Sequence, residues 1–513
     1  MKEQFKKWRV VLPFIVIFLI FTTFQYLHLL DAEKNSNKMP WSRSVDLQMK
    51  SDNRSPLIVT DDNQLVLFSG KTGGINQYLV NPDLSVSNLG EIKAPVTSQD
   101  SFWTNGVDAL YVKEETLYYQ NGSGDPKKLL ESVNLLKANE GLVVVSQEQG
   151  LYIINLSTFD PIKIADQSSP AEDLILTLQQ NSFVTATPGD AGLLNFTLYK
   201  EGWKSTELFQ YDTNYATYAG LDYLEMDGNV HTILTTSSRK GGGKLTLTNQ
   251  YANLSLANPT GYEAFSELRI NDSETANRLG LIKGFNIFHE DGTVKLLFAS
   301  ESTLNDTDAV NIFMASQIDE TWKATRISTT DLPSSKPIWV DQSFITWLDF
   351  EASTMKYSIM GASTHTEAVE ASLQLSKQDY INALSRTLLS SSGALIFLLV
   401  SFLVLFPPAI VVIGMNVLNV YNKTRAKWLA IVSYFITQFI FVQRFFEPNV
   451  ILDGPFFIAF SFSQYILPLL AIAIALFSYK FFRNPNWGEE SEVTYIVLLH
   501  LFMMVVMVGP YVF

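Results

Sequence analysis

The residues best suited to chemistry are few, because the 513-residue sequence contains no cysteine and only five histidines. The lack of cysteine excludes disulfide frameworks, thiolate metal sites and cysteine nucleophiles. No pair of histidines has the spacing of a metalloprotease helix, and no serine lies in a nucleophile elbow. The sequence therefore predicts no metal and no cofactor, and it leaves any catalytic residue unknown.

Three short segments contain residue types that hold ligands in other proteins. Glycines 241–243 and Lys244 resemble part of a phosphate loop, but the required earlier glycine and the following Ser or Thr are missing. The acidic turns at residues 61–63 and 305–308 carry oxygens that suit calcium, but they lack the glycine and distal glutamate of a calcium loop. We therefore interpret all three segments as turns between strands.

Aromatic residues are concentrated between residues 203 and 223. Such side chains can stack on sugars or fill a protein interface, and they can also pack between neighbouring β-sheets. Packing is the more common role, so binding is an alternative hypothesis here. The binding candidates are Trp203, Tyr211, Tyr215, Tyr218 and Tyr223.

Polar residues also occur inside long apolar segments near the C-terminus, namely Gln438, Gln464 and His500. Within hydrocarbon, such groups face neighbouring helices and serve either as interhelical hydrogen bonds or in function. Interhelical bonding is the simpler hypothesis, and a transport path is the alternative. Pro407 and Pro408 lie in the middle of another apolar segment, where they predict a helix kink.

These positions belong to a chain with five long apolar segments, at residues 10–30, 393–415, 428–446, 455–482 and 493–513. A helix rises about 1.5 Å per residue, so each segment can cross a hydrocarbon core roughly 30 Å thick. Residues 1–9 form a basic N-terminus, and residues 10–30 exceed the apolar length of a cleavable signal. We therefore predict a retained signal anchor followed by a four-helix transmembrane domain over residues 393–513.

Basic residues predict the orientation of these segments. They cluster at the N-terminus, at residues 423–427 and at residues 480–483, which the positive-inside rule assigns to the cytoplasm. The loop at residues 447–454 carries acidic residues and is predicted outside. The N-terminus is then cytoplasmic, and the C-terminus and the large central region are extracytoplasmic.

The central region is acidic, with 45 Asp and Glu against 27 Lys and Arg between residues 31 and 392. This charge argues against nucleic acid as a partner, because nucleic-acid binding needs a basic surface. A large exported domain without cysteine is more typical of bacteria than of a eukaryotic secretory route. The predicted location is therefore a bacterial plasma membrane.

The sequence predicts an all-β domain over residues 44–370, because short apolar and β-branched runs alternate there with Gly, Asn, Asp and Pro. Seven similar units recur, and a period near 40 residues with about four strands is typical of a β-propeller blade. A two-sheet sandwich, or a ring of six or eight blades, is the alternative. Residues 44–49 are predicted to close the ring by pairing near residues 357–360.

Two segments connect this domain to the apolar segments. Residues 31–43 are predicted to form a polar linker. Residues 371–392 are predicted to form a juxtamembrane helix, because apolar side chains recur there at helical spacing, and a flexible tether is the alternative.

The predicted function follows from this organisation, since no catalytic constellation stands out. We expect an anchored extracytoplasmic propeller that binds a ligand or partner and is coupled to a transmembrane bundle. Its expected partners are membrane lipid and a protein or envelope ligand. The alternatives are a component of a membrane transport system and, less favoured, a hydrolase or lyase that uses acidic residues at the propeller axis.

Overall fold

The computed structural model describes residues 2–34, 40–52, 54–61, 64–97, 100–122, 124–177, 181–239, 245–257, 261–304, 307–318, 321–417, 423–446, 454–460, 462–483 and 487–511. The chain forms two compact units. One is helical and comprises Met1–Asn35 and Leu375–Phe513; the other, Ser36–Gln374, is built from β-sheets.

The β unit consists of seven antiparallel sheets, and consecutive strands are neighbours in almost all of them. We name the sheets blades 1 to 7; the strand that precedes them, β1 (Val45–Ser51), belongs to blade 7. Blade 1 contains β2 (Leu57–Asp61), β3 (Gln64–Lys71), β4 (Gly74–Val80) and β5 (Val86–Lys93). Blade 2 contains β6 (Phe102–Thr104), β7 (Asp108–Lys113), β8 (Thr116–Asn121) and β9 (Lys127–Leu130). Blade 3 contains β10 (Val133–Ala138), β11 (Val143–Gln147), β12 (Gly150–Ile154) and β13 (Pro161–Ala165).

The remaining blades repeat this order, and blade 6 adds one strand. Blade 4 contains β14 (Asp173–Leu176), β15 (Phe183–Pro188), β16 (Leu193–Tyr199) and β17 (Ser205–Asp212). Blade 5 contains β18 (Thr217–Met226), β19 (Asn229–Arg239), β20 (Leu245–Ser255) and β21 (Ser266–Glu267). Blade 6 contains β22 (Ile270–Asp272), β23 (Gly280–Glu290), β24 (Thr293–Leu304), β25 (Thr307–Ile318) and β26 (Thr321–Arg326), with β22 pairing parallel to β26. Blade 7 contains β27 (Ser334–Trp339), β28 (Phe344–Glu351) and β29 (Lys356–Ser363).

The seven sheets form a ring rather than a sandwich. From blade 2 to blade 7, the innermost strands of successive blades contact one another, which places them around a common axis. The innermost strand is the first strand of each blade, except in blade 6, where it is the second strand, β23. Apolar clusters fill the spaces between neighbouring blades; one of them joins Phe196 of blade 4 to Tyr223 of blade 5. The prediction of a seven-bladed β-propeller is confirmed by this topology.

Ring closure follows the predicted pairing. Strand β1 pairs antiparallel with β29, so that Asp46 faces Met360 and Ser51 faces Tyr357. Leu47 and Met49 point from β1 into the core and are fully buried. The backbones of Ser42 and Ser363 add a hydrogen bond of 2.8 Å beside this pair. The first strand of the unit is therefore the outermost strand of its last blade, and this pairing confirms the sequence prediction.

Blade 7 also contains a buried carboxylate. Asp349 accepts hydrogen bonds from Ser334 Oγ and Thr330 Oγ1, both at 2.6 Å, and from Trp347 Nε1 at 2.8 Å. Burial raises the pKa of Asp349 to about 6, although the three donors oppose that shift. These bonds tie β28 to β27 and to the segment that precedes β27.

The helical unit contains α1 (Lys2–Lys34), α3 (Lys377–Ser401), α4 (Phe406–Val417), α5 (Lys423–Val442), α6 (Ser463–Phe482) and α7 (Glu489–Val508). The short helix α2 (Thr366–Ser372) ends the β unit. Helix α3 runs unbroken through residue 392, where the sequence analysis placed a boundary. A Ser376 capping box with Asp379 starts this helix, and no helix-breaking residue follows until Pro407.

Helix α7 is the centre of the helical unit, because it contacts α1, α3, α5 and α6. At the polar end of α7, Glu492 forms two ion pairs: its carboxylate lies 2.8 Å from Lys427 Nζ of α5 and 2.7 Å from Nε of Arg483, which follows α6. At the other end, a Cβ on Gly509 would stand 2.7 Å from the Cα of Ala394, so only glycine fits this contact between α7 and α3. Five helical spans of the described chain are long and apolar enough to cross a membrane.

We expect deletion of residues 44–49 to destabilise the propeller strongly, because β1 would be lost and β29 would have an unpaired edge. Burial of Leu47 and Met49 alone stabilises the fold by roughly 3 to 6 kcal/mol. The measurement is urea unfolding of the full chain in detergent, followed by the β signal in circular dichroism. The matched control replaces the exposed residues Asp46 and Lys50 by Ala, which we expect to cost no more than about 1 kcal/mol. Equal midpoints for the deletion and the native chain would contradict the closure model.

Candidate functional site

A cavity of about 470 Å³ lies on the propeller axis, within the size range of small-molecule sites. Residues from every blade line it, in or next to the innermost strand of that blade. The seven blades contribute, in order, Ile58, Phe102, Lys137, Leu176, Asp222, Asn286 and Lys336. We call this cavity the central channel.

Three basic side chains line the central channel: Arg54, Lys137 and Lys336. Arg54 precedes β2, donates from Nη2 to Ser101 Oγ at 3.0 Å and has its guanidinium carbon 5.9 Å from the centre of the Phe102 ring. Burial lowers the pKa of Arg54, and burial together with the charges of Arg54 and Lys137 lowers the pKa of Lys336. Lys336 is therefore close enough to Arg54 and to Lys137 for both charges to act on it.

The backbone of Lys336 adopts an unfavourable conformation at this position. Its φ is +49°, a left-handed conformation that β-branched and long side chains rarely adopt. The residue lies in a β-bulge of β27, where the register with β28 shifts between Ser335 and Ile338. On the facing strand β23, Gly284 has φ +64°. A Cβ atom at Gly284 would lie 3.6 Å from Pro337 Cδ and 3.9 Å from Lys336 Cα. Bulges re-aim side chains, and here the bulge directs a lysine to the axis.

Two carboxylates accompany the basic groups. Asp173 accepts a hydrogen bond of 3.0 Å from the Tyr218 hydroxyl and lies 3.8 Å from Lys137 Nζ. Burial and the nearby charge of Asp173 raise the pKa of Asp222 to about 8, while Lys137 opposes that shift. Asp222 is therefore mostly protonated at neutral pH, and the channel then holds more positive than negative charge.

The five aromatic binding candidates do not form one surface. Tyr211 and Tyr223 are buried and Tyr218 is half-buried, in the apolar cluster between blades 4 and 5. Trp203 packs against Phe183 in the cluster between blades 3 and 4, whereas Tyr215 is 86% exposed. Tyr223 is the member of this group that also lines the central channel, and its hydroxyl lies 3.1 Å from Ser182 Oγ.

The three polar candidates of the helical unit, Gln438, Gln464 and His500, likewise do not form one site. His500 is fully buried and its Nδ1 lies 3.0 Å from the hydroxyl of Tyr434, a partner that the sequence analysis did not name. Gln438 is also fully buried, and its amide finds no hydrogen-bond partner among the described residues. Gln464 is half-buried at the start of α6.

The two prolines lie at the start of a helix. Pro407 and Pro408 are the second and third residues of α4, directly after the 3₁₀ turn Phe402–Leu405. A proline in the first turn loses no intrahelical hydrogen bond, because the first N–H groups of a helix have no partner there. The change from α3 to a tighter turn occurs just before them.

The other segments singled out in the sequence give no site in the described chain. Residues 240–244, 62–63 and 305–306 lie outside the described residues. Among the residues that are described, no group of three or more His, Asp or Glu side chains could hold a metal ion. His231 Nδ1 is 2.7 Å from the Tyr251 hydroxyl. Burial lowers the pKa of His231 and raises the pKa of Tyr251 to about 12.

Sequence reasoning missed the charged residues of the central channel. Lys137 and Lys336 are each the single charge of β10 and of β27, whereas β18 contains both Asp222 and Glu225. Isolated charges within apolar strands were the available signal. The repeats are too degenerate to align strand by strand, so the shared position of these charges is not visible along the chain.

Comparisons with known proteins do not extend this description. No protein-family model matches the chain, and no curated protein matches it either. Among solved structures, the N-terminal domain of Nup159 is 9% identical, with 64% of this chain and 97% of that chain covered and a TM-score of 0.38. Hsv2 of Kluyveromyces lactis is 13% identical, with coverage of 60% and 97% and a TM-score of 0.35. A hydrazine synthase of Kuenenia stuttgartiensis is 10% identical, with coverage of 61% and 97% and a TM-score of 0.38. Likenesses this distant carry no argument, and the propeller assignment rests on the sheet topology.

We expect stability to depend on pH through Asp222. Its pKa is about 8 in the folded chain, against an ordinary value near 3.9, so its contribution to stability is fully present below about pH 4. That contribution is lost as pH rises through about 8. Asp222→Asn should therefore remove part of the fall in urea midpoint between about pH 5 and about pH 9. Asp166→Asn, at an exposed carboxylate, is the control, and an Asp222 variant with the native pH profile would contradict the burial of this charge.

We expect the Tyr434 and His500 pair to stabilise the helical unit. Tyr434→Phe and His500→Leu should each cost about 1 kcal/mol, the scale of polar contacts between membrane helices. The double variant should cost little more than either single variant, because both changes remove the same bond. Thermal unfolding in detergent measures this, with His500→Gln as the conservative variant. Fully additive costs would show that the two residues act separately.

Proposed function

We propose that this chain is a multi-pass membrane protein whose propeller lies on the extracytoplasmic side and acts as a binding or assembly module for a ligand or partner. The observation that carries the proposal is the central channel. All seven blades contribute to it, and it gathers charged side chains that the fold itself does not require. Propellers commonly present such axial sites.

The helical unit supports the membrane part of the proposal. It supplies five spans, and the basic residues lie at alternate ends of consecutive spans. The N-terminal part of α1 contains Lys2, Lys6, Lys7 and Arg9, ahead of its apolar segment, and α5 starts with Lys423, Arg425 and Lys427. Arg483 follows α6, and the acidic loop at residues 447–453 lies outside the described residues. This alternation favours a cytoplasmic N-terminus in the plasma membrane of a bacterium.

Connectivity supports attachment of the propeller at both ends. Within the β unit, the entering and leaving segments meet where Ser42 bonds to Ser363. Within the helical unit, α1 packs on α3, and Arg386 Nη1 lies 2.9 Å from Glu33 Oε1. The chain therefore leaves and returns to each unit at neighbouring points, which is the arrangement that a doubly anchored module needs.

A binding role is favoured over a transport role by the placement of the intramembrane polar groups. Gln438 and His500 are fully buried within the packing of helices α5 and α7. The two cavities described in the helical unit are lined mostly by apolar residues and include neither of them. Membrane lipid is the expected neighbour of such apolar surfaces.

A hydrolase or lyase is the second candidate, and one observation favours it. Asp173 and Asp222 line or adjoin the same channel, and the charge of Asp173 raises the pKa of Asp222. A carboxyl group that stays protonated near neutral pH can act as a general acid. However, Asp173 is engaged by Tyr218 and Lys137, which leaves Asp222 without a second free carboxylate as its counterpart.

We expect impermeant labelling of intact cells to show the proposed topology. A cysteine introduced after residue 513, or at the exposed Tyr215, should react with a membrane-impermeant maleimide. A cysteine at Thr424 should react only after the cells are opened, because it lies in the basic cytoplasmic segment. The native chain lacks cysteine and is the control for background labelling. Labelling of Thr424 but not of Tyr215 in intact cells would overturn the proposal.

A further inference from the structure

The central channel contains an ammonium group and a carboxyl group that keep hydrogen-bonding capacity. Lys137 of β10 and Asp222 of β18 both line the channel, and the charge of Lys137 acts on Asp222. Within the described chain, Lys137 Nζ lies 3.8 Å from Asp173, which is too long for a hydrogen bond, and the Asp222 carboxyl group accepts none. The Lys137 side chain is 51% exposed and Asp222 is half-buried, so a molecule in the channel can reach both.

We propose that the central channel binds a small neutral molecule with several hydroxyl groups, such as a sugar or a cyclic polyol, between Lys137 and Asp222. This inference rests on the proposed function, since it names the ligand class of the same binding module. A hydroxyl group both donates and accepts hydrogen bonds. Neighbouring hydroxyls can therefore accept from an ammonium group and donate to a carboxyl group.

The charges of this part of the channel favour a neutral ligand. Asp173 lies beside Lys137 and accepts a hydrogen bond from the Tyr218 hydroxyl, so the ammonium group already has a counter-charge. Burial, together with the charge of Asp173, raises the pKa of Asp222 to about 8, so this carboxyl group is mostly uncharged at pH 7. Lys137, Asp173 and Asp222 together then carry no net charge. Neither an anion nor a cation gains an unmatched counter-charge from them.

The uncharged carboxyl group of Asp222 also suits a hydroxyl better than an amine. A protonated carboxyl group has one O–H donor and keeps acceptor capacity, so it can bind a hydroxyl in either direction. A ligand ammonium group would require the ionised carboxylate, and it would be repelled by Lys137.

The other basic residues of the channel are not part of the proposed contacts. Arg54 donates to Ser101 at 3.0 Å and is acted on by Asp100. Both Arg54 and Lys336 have further interactions within the chain. The proposed contacts therefore come from blades 3 and 5 alone.

The size and walls of the channel fit a small ring-shaped molecule. About 470 Å³ accommodates such a molecule but no folded partner. Phe102 and Trp339 also line the channel, and Phe288 stacks on Trp339 with 4.5 Å between the ring centres. A sugar ring carries apolar C–H groups between its hydroxyls, so it matches a lining that combines aromatic and polar side chains.

The test is titration calorimetry of the full chain with glucose, maltose and myo-inositol. The chain is kept in a detergent without a sugar headgroup, because a maltoside would compete for the site. Citrate and alanine are the anionic and zwitterionic comparisons. We expect saturable binding of at least one hydroxylated probe and of neither comparison, and the better probe distinguishes a sugar from a cyclic polyol.

Variants of the two contact residues test whether hydrogen bonds hold the ligand. Asp222→Leu and Lys137→Met should each weaken binding of that probe about tenfold, because each removes a polar partner of a bound hydroxyl. Asp222→Asn keeps a donor and an acceptor at the same position, so it should weaken binding by no more than about threefold. Urea midpoints show whether each variant is folded before its binding is measured.

The ion pair of Lys163 with Asp166 supplies matched controls, because it lies at the exposed outer strand of blade 3. Lys163→Met and Asp166→Leu make the same exchanges away from the channel, and both should leave the affinity unchanged. Equal weakening by either control would overturn the hydroxyl site. A loss with Asp222→Asn as large as with Asp222→Leu would overturn it as well, since the site would then recognise charge.

The outcomes separate this inference from the proposed function. No saturable binding of any hydroxylated probe by the folded native chain, or binding of citrate or alanine in its place, would overturn the ligand class. If labelling still shows the proposed topology in that case, the anchored module stands. If a hydroxylated probe binds but the labelling is reversed, the site stands and its proposed location is wrong.

Discussion

The pairing of β1 with β29 is the constraint on which the β unit depends. A ring of sheets buries the faces of each blade only if its last blade is held to its first, and an open ring leaves two unpaired edges. Here the closing strand comes from the opposite end of the β unit, so the pairing of Asp46 with Met360 and the hydrogen bond between Ser42 and Ser363 close the ring. Closure also brings both ends of the β unit into blade 7. Without it, the seven first strands would not share an axis, and the central channel would not exist.

In the central channel, a regular repeat of strands holds charged side chains at only a few positions. Most first strands present uncharged side chains to the axis, while single positions in blades 3, 5 and 7 present Lys137, Asp222 and Lys336. Blade 7 needs a bulge and a left-handed residue to do so, and such departures from local preference are expected where function demands them. The surrounding sheets over-determine the backbone, so the strain persists in a stable ring.

In the proposed membrane location, the helical unit depends on a different principle, since apolar side chains cannot by themselves distinguish helix neighbours from hydrocarbon. Close backbone contact and a few polar groups supply that distinction. Gly509 lets α7 approach α3, Glu492 binds cations from two neighbouring helices, and His500 pairs with Tyr434 of α5. These contacts make α7 the most buried span, about two-thirds of its apolar window being enclosed.

The sequence alone determined the local and periodic features of this protein. Residues close together in the sequence determine apolar runs of about 20 residues, alternating strands and a period of about 40 residues. Five candidate spans, seven blades and the closing strand could therefore be predicted. Only the tertiary structure decided which side chains meet. Arg54 and Lys336 lie far apart in the chain, and the bulge that aims Lys336 depends on the strand packed beside it. His500 likewise pairs with Tyr434 rather than with a glutamine, because helix rotation, and not depth along the span, selects its partner. Such contacts depend on the twist and register of whole elements, and single-residue propensity contains no information about either.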